Sequence, residues 1–122
     1  MGLFNKKNQD ITLLAEVEDN READRQILAT LLENGDDASA TRESRHYGYF
    51  KCKKQYKQFM QFLTEQKTPF KKIAKLGVII YGESTMQEKD IFALIDSIAS
   101  LFRTVGGEYD GWETRIIEKQ PQ

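Results

Sequence analysis

One cysteine, one histidine, one tryptophan and two prolines are spread through 122 residues. A lone Cys52 permits no internal disulfide, which fits a reducing compartment. One cysteine and one histidine cannot build a Cys/His metal centre, and Asp36-Asp37 lacks the spacing of a calcium loop. Gly77, Gly82, Gly106 and Gly107 do not form a phosphate-cradling loop, and there is no Gly-x-Ser-x-Gly elbow. Apolar runs are short, and none approaches the roughly 20 residues that cross a bilayer. The opening Met1-Gly2-Leu3-Phe4-Asn5-Lys6-Lys7 lacks the apolar stretch of a signal peptide, and Lys6 stands where a myristoylation signal has Ser or Thr. The expectation is a cytoplasmic, non-enzymatic protein with no catalytic residue, metal ligand, cofactor or membrane span.

What is present suits one small solvated domain. Hydrophobic residues make up 39% and charged residues 30%, with a mean hydropathy of -0.61. That is enough apolar material for a single core under a polar surface. The net charge of -1 conceals an asymmetry: Arg42 to Lys75 carries +8 and the remainder -9. A basic middle between acidic ends makes an electrically polarised surface.

Periodicity predicts a first helix over 20–34, with Ala23, Ile27, Leu28, Leu31 and Leu32 as its apolar stripe and Gly35 as its left-handed stop. Thr41 to Lys51 reads as a strand with His46, Gly48 and Phe50 on one face and Arg45, Tyr47 and Tyr49 on the other. A second helix over 53–66 carries Tyr56, Phe59, Met60 and Leu63 at core spacing. Phe70 to Ala74 suits a short edge strand, where lysines discourage pairing with other chains. Leu76 to Tyr81 is a near-continuous apolar strand, expected to be central and covered on both faces and to close at Gly82. Thr85-Met86-Gln87-Glu88 has the form of a capping box for a third helix ending near Thr104. Glu108 to Glu118 is the last strand.

The order is α followed by βαββαβ. That predicts an α+β protein with a ferredoxin-like α/β sandwich, an antiparallel sheet with two helices, plus an extra N-terminal helix. The extra helix must bury its stripe on the second sheet face or at one end of the sandwich. Residues 1–18 read as a weakly ordered lead-in, 19–118 as the domain and 119–122 as a frayed tail.

Two features attract a functional reading. His46 sits among aromatics in its strand, where it is either a base or partner contact, or a half-buried histidine with one hydrogen bond. In the last strand Asp110-Gly111 falls inside the strand pattern, which suggests a bulge or a close backbone approach. Trp112 directly after it is either a core anchor or an interface anchor. Regular alternation places Glu108 and Asp110 on one face and Glu113 on the other.

Glu108-Tyr109-Asp110-Gly111-Trp112, followed by Thr114 and Glu118, resembles the C-terminal strand motif of the RraB family, regulators of ribonuclease E activity. Leu31-Leu32-Glu33-Asn34-Gly35-Asp36-Asp37 is similar to that family's helix stop before its first strand, and His46 stands where the family also carries a histidine. The resemblance spans about Asn20 to Glu118. It implies a bacterial regulator that inhibits ribonuclease E by binding it and so alters messenger RNA decay, with no cofactor or metal. The partner contacts to expect are Arg45, His46, Tyr47, Tyr49, Tyr109, Asp110 and Trp112. The alternative is direct nucleic-acid binding through the basic residues Lys51, Lys53, Lys54, Lys57, Lys71, Lys72 and Lys75. The expected assembly is a monomer or weak homo-oligomer.

Overall fold

Short apolar stripes at helical spacing, separated by strands rich in Tyr, Ile and Val, fold into seven elements in the computed structural model, which describes residues 17–120. They are α1 (Val17–Glu33), β1 (Arg42–Tyr49), α2 (Lys53–Glu65), β2 (Phe70–Ile73), β3 (Gly77–Ser84), α3 (Glu88–Thr104) and β4 (Glu108–Thr114). The expected lead-in lies outside the described residues up to residue 16, and so do the last two residues of the expected tail. Helix α1 starts at Val17, three residues before the predicted start.

The architecture is α+β: three helices and one four-stranded sheet in the order β2-β3-β1-β4, antiparallel at every junction. Strand β1 is central, pairing with β3 from Arg42↔Ser84 to Tyr49↔Gly77. On its other side it pairs with β4, with His46 opposite Trp112. Strand β2 is an edge, and its Lys71 and Lys72 are exposed there.

All three helices lie on one face of the sheet. Phe59 and Leu63 of α2 pack with Val78 and Ile80 of β3, Phe50, and Ile98 and Phe102 of α3. Leu28 and Leu31 of α1 pack with Ile91 and Ile95 of α3, Met86 and Trp112 of β4. Helix α1 therefore buries its stripe beside α3, on the face that already carries the other helices. Its buried positions are Asp24, Leu28 and Leu31, whereas Leu32 is 53% exposed and Ala23 is exposed. The predicted stripe is displaced because a buried carboxylate occupies one of its positions.

Three local expectations change. Strand β3 runs on through Gly82 to Ser84, because Gly82, Glu83 and Ser84 pair with Ser44, Glu43 and Arg42 of β1; Leu94 of α3 packs 2.9 Å from where a Cβ at Gly82 would stand. The predicted capping box does not form: the N-cap of α3 is Gln87, without a side-chain cap hydrogen bond, while Thr85 Oγ1 accepts from the Gln87 N–H (3.1 Å) and donates to Asp90 (2.7 Å), and Glu88 pairs with Arg25 of α1. Strand β4 stops at Thr114, and beyond it Glu118 forms an isolated bridge with Asp36.

Candidate partner-binding face

Strand β4 contains the bulge that its Asp110-Gly111 pair implies. The register slips by one residue, with Gly48 opposite Tyr109 and Tyr47 opposite Gly111, so that Asp110 is the extra residue. Gly111 has φ +130°, a conformation that residues with a side chain rarely adopt. The slip has a geometric consequence. Tyr109 and Trp112 are three apart, and a regular strand would point them to opposite faces. The bulge turns both toward the helices, where they flank His46, with ring centroids at 6.1 and 6.4 Å.

His46 is fully buried, and both ring nitrogens are engaged. Nε2 lies 2.8 Å from the Ser44 hydroxyl and Nδ1 lies 2.9 Å from the Tyr109 hydroxyl. Each hydroxyl can donate or accept, so the pair suits either tautomer of a neutral imidazole. Burial lowers the histidine pKa from 6.5 to about 4. Burial, followed by the carboxylates of Asp24 and Asp96, pushes the Tyr109 phenol well above its ordinary value. His46 keeps no free nitrogen, so the base reading and the contact reading both fall away.

The same layer holds three buried charged residues, Asp24, Arg42 and Asp36. Trp112 is 2% exposed and donates its indole N–H to Asp24 Oδ1 at 2.9 Å, which ties α1 to the sheet. Burial raises the Asp24 pKa from 3.8 to about 6, against the lowering effect of that hydrogen bond and of Arg21. At the start of β1, Arg42 is enclosed and its donors are all directed. They reach Asp36 Oδ1 (2.5 Å) and the carbonyls of Asp37 (2.6 Å), Ala40 (3.1 and 3.2 Å) and Arg115 (3.1 Å). Asp36 Oδ1 also accepts from the Ile117 N–H at 2.9 Å.

The opposite face of the sheet has no helix over it among the described residues. By register it presents Glu43, Arg45, Tyr47 and Tyr49 of β1, Ile79, Tyr81 and Glu83 of β3, Lys71 and Ile73 of β2, and Glu108 and Glu113 of β4. Glu108 and Glu113 thus share this face, contrary to simple alternation, because the bulge lies between them. The Tyr47 hydroxyl donates to Glu113 Oε2 (2.7 Å), and Arg45 Nε lies 3.1 Å from the same oxygen. Burial, and then that bond to the carboxylate, pushes the Tyr47 phenol up to about 12. Ile79 is buried at 8% exposure yet belongs to neither hydrophobic cluster. Across the ladder it is flanked by Tyr47 and Lys71.

A protein-family model described as Regulator of ribonuclease activity B, RraB, matches residues 21–114, from the first turns of α1 to the last residue of β4. The chain belongs to the RraB family. A search of the curated proteins found no match. The RraB match covers the bulge, the His46 sandwich and both faces of the sheet.

Within this RraB unit the expected contact residues divide. Arg45, Tyr47 and Tyr49 lie together on the open face, and Asp110 is exposed at the bulge. His46 and Trp112 are core, and the Tyr109 hydroxyl is spent on His46. They fix the strand that the exposed residues stand on. The lysines of the alternative reading are all exposed but are dispersed: Lys53, Lys54 and Lys57 on α2, Lys71 and Lys72 on β2, and Lys51 and Lys75 in turns. Of these Lys71 faces the open side, and Lys51 reaches its rim, 3.7 Å from Glu108. Tyr81, Ile79, Glu43 and Glu83 were missed. For Ile79, Tyr81 and Glu83 the signal was the alternation of β3, which a continuous apolar reading of that strand concealed; for Glu43 it was the alternation of β1. Among the described residues no group of three or more His, Cys, Asp or Glu is arranged to hold a metal, and no helix is long and apolar enough to cross a membrane.

Proposed function

We propose that this chain is a non-enzymatic regulator that binds a protein partner of the ribonuclease E type and so modulates RNA decay in the bacterial cytoplasm. The observation that carries the reading is the family match running through every element from α1 to β4. Three further features support it. The single histidine is enclosed and neutral, the polar groups of His46, Trp112 and Arg42 find partners inside the protein, and the exposed residues of the open face suit contact. The working residues are Arg45, Tyr47, Tyr49 and Asp110, presented by one RraB-like unit over 19–118 that acts as a monomer or weak homo-oligomer. The antiparallel order β2-β3-β1-β4 supports a ferredoxin-like reading of the scaffold, with α1 as an addition. A pull-down with the tagged full chain from its native cell tests the proposal. Recovery of an RNA-processing nuclease is expected, and recovery of no protein above background counts against it.

The second reading is direct nucleic-acid binding through Lys51, Lys53, Lys54, Lys57, Lys71, Lys72 and Lys75. Its support is that all seven side chains are exposed. Filter binding at two salt concentrations discriminates, since phosphate contacts weaken steeply as salt rises.

A further inference from the structure

The open face of the sheet combines two properties that rarely coexist on an idle surface. It is lined by rings at half exposure, Tyr47 and Tyr49 on β1 and Tyr81 on β3, around the buried Ile79. It also sets two carboxylates against each other. Glu43 of β1 lies directly opposite Glu83 of β3, and both are exposed. Like charges in facing positions of an antiparallel pair destabilise the sheet. Neither side chain has an ion-pair or hydrogen-bond partner among the described residues. Arg45, the nearest cation in register, turns its Nε to Glu113. The face as a whole carries Glu43, Glu83, Glu108 and Glu113 against Arg45 and Lys71, with Lys51 at its rim beside Glu108.

We propose that this face is a docking surface for an arginine-bearing segment of a protein partner. Its guanidinium groups would neutralise Glu43 and Glu83 while stacking on Tyr49, Tyr47 and Tyr81. Charge complementarity selects the occupant. A polyphosphate strand laid on the same tyrosines would meet four carboxylates, whereas a cationic segment relieves the repulsion between two of them. Guanidinium is preferred to ammonium because its planar fork fits a carboxylate and its face stacks on a phenol ring. The proposal deepens the regulator reading, and it rests on that reading only for the identity of the partner.

The test uses the full chain, titrated by calorimetry with a short synthetic peptide of alternating arginine and alanine. The comparison probes are the matching lysine peptide and oligouridine. The arginine peptide is expected to bind, the lysine peptide to bind more weakly, and both to weaken as salt is added. The double substitution Glu43→Gln and Glu83→Gln is expected to cost roughly tenfold in affinity, at about threefold for each exposed pair. Tyr49→Ala is expected to weaken binding as well, while Lys54→Ala with Lys57→Ala on α2 leaves it unchanged. These side chains are exposed or half exposed, and circular dichroism confirms that each variant remains folded. Arginine-peptide affinity indifferent to the Glu43, Glu83 and Tyr49 changes overturns the proposal. So does oligouridine binding lost on Tyr49→Ala, or a dimer of this chain that the same change dissociates. Repeating the pull-down with these variants separates the two ideas. A nuclease recovered equally by wild type and variants sinks the surface and spares the regulator reading. Peptide binding that persists where no nuclease is ever recovered does the reverse.

Discussion

The two faces of strand β1 use the same alternation for opposite ends. Its helix-side residues, Arg42, Ser44, His46 and Gly48, are buried, and three of them are polar. Its open-side residues, Glu43, Arg45, Tyr47 and Tyr49, range from half to fully exposed, and two of them are large rings. A hydropathy rule would assign the faces the other way round. The polar side is inside because its side chains have named partners: Ser44 and Tyr109 for His46, Asp36 and four carbonyl contacts for Arg42. Buried polar groups are tolerated when they are satisfied, and the arrangement then specifies one packing. The aromatic side is outside because no helix among the described residues reaches it. Burial and exposure are thus separated residue by residue along a single strand.

That separation can be broken from the helix side with the largest effect. Trp112→Ala empties the space beside His46 and leaves the buried Asp24 without its indole donor, so a loss of about 3–5 kcal/mol is expected in urea unfolding. A loss comparable with that of a surface substitution would place Trp112 outside the core. The next effect is one of pH. Asp24, raised from 3.8 to about 6, contributes stability that is complete below about 4 and lost as pH rises through 6. His46, lowered from 6.5 to about 4, contributes stability that is complete above about 6.5 and lost as pH falls through 4. A tenfold change in proton affinity corresponds to about 1.36 kcal/mol, so each group is worth about 3 kcal/mol. Over this range the two oppose each other. Asp24→Asn removes one of them, and the variant is expected to gain roughly 3 kcal/mol between pH 4 and 6.5 relative to wild type. Urea midpoints at the two ends of the range measure it, and parallel profiles for the two proteins would refute the opposition.

Gly111→Ala sharpens the role of the bulge. A Cβ there meets nothing within 4 Å, so the cost is purely that of the backbone at φ +130°. About 1–2 kcal/mol is expected from thermal unfolding. The smallest effect has the opposite sign. Glu43→Gln on the open face removes the repulsion with Glu83 and is expected to stabilise the fold by a few tenths of a kcal/mol. A measurable destabilisation would mean that Glu43 serves the fold.

Much of this was legible in the sequence because it depends on local spacing. The element order, Gly35 as the left-handed stop, the two-faced pattern of β1 and the irregularity at Asp110-Gly111 all follow from residues within a few positions of one another. What was not legible depends on partners distant in the chain. Asp24 looks like an ordinary dipole-facing acid of a first helical turn, and nothing nearby reveals an indole 88 residues later. His46 reads as half buried until Tyr109, 63 residues on, takes its second nitrogen. The placement of Glu113 was misjudged for the same reason as that of Tyr109: a one-residue slip inverts every later position of a strand, and alternation counted from the sequence cannot include it. The open-side ring of β3, Tyr81, was hidden by Val78 and Ile80, which make the strand read as apolar throughout.

The enclosed guanidinium at the start of β1 links two segments far apart in the chain. Asp36, Asp37 and Ala40, close by in sequence, supply most of its acceptors, but the carbonyl of Arg115 lies 73 residues away. The Ile117 N–H that shares Asp36 arrives with the same late segment. A chain that has assembled everything except its final strand therefore holds a cation whose surroundings are unfinished, and such a charge is costly to bury. Arg42 thus joins the start of β1 to the segment that follows β4, and a chain without that segment is expected to leave the guanidinium short of an acceptor.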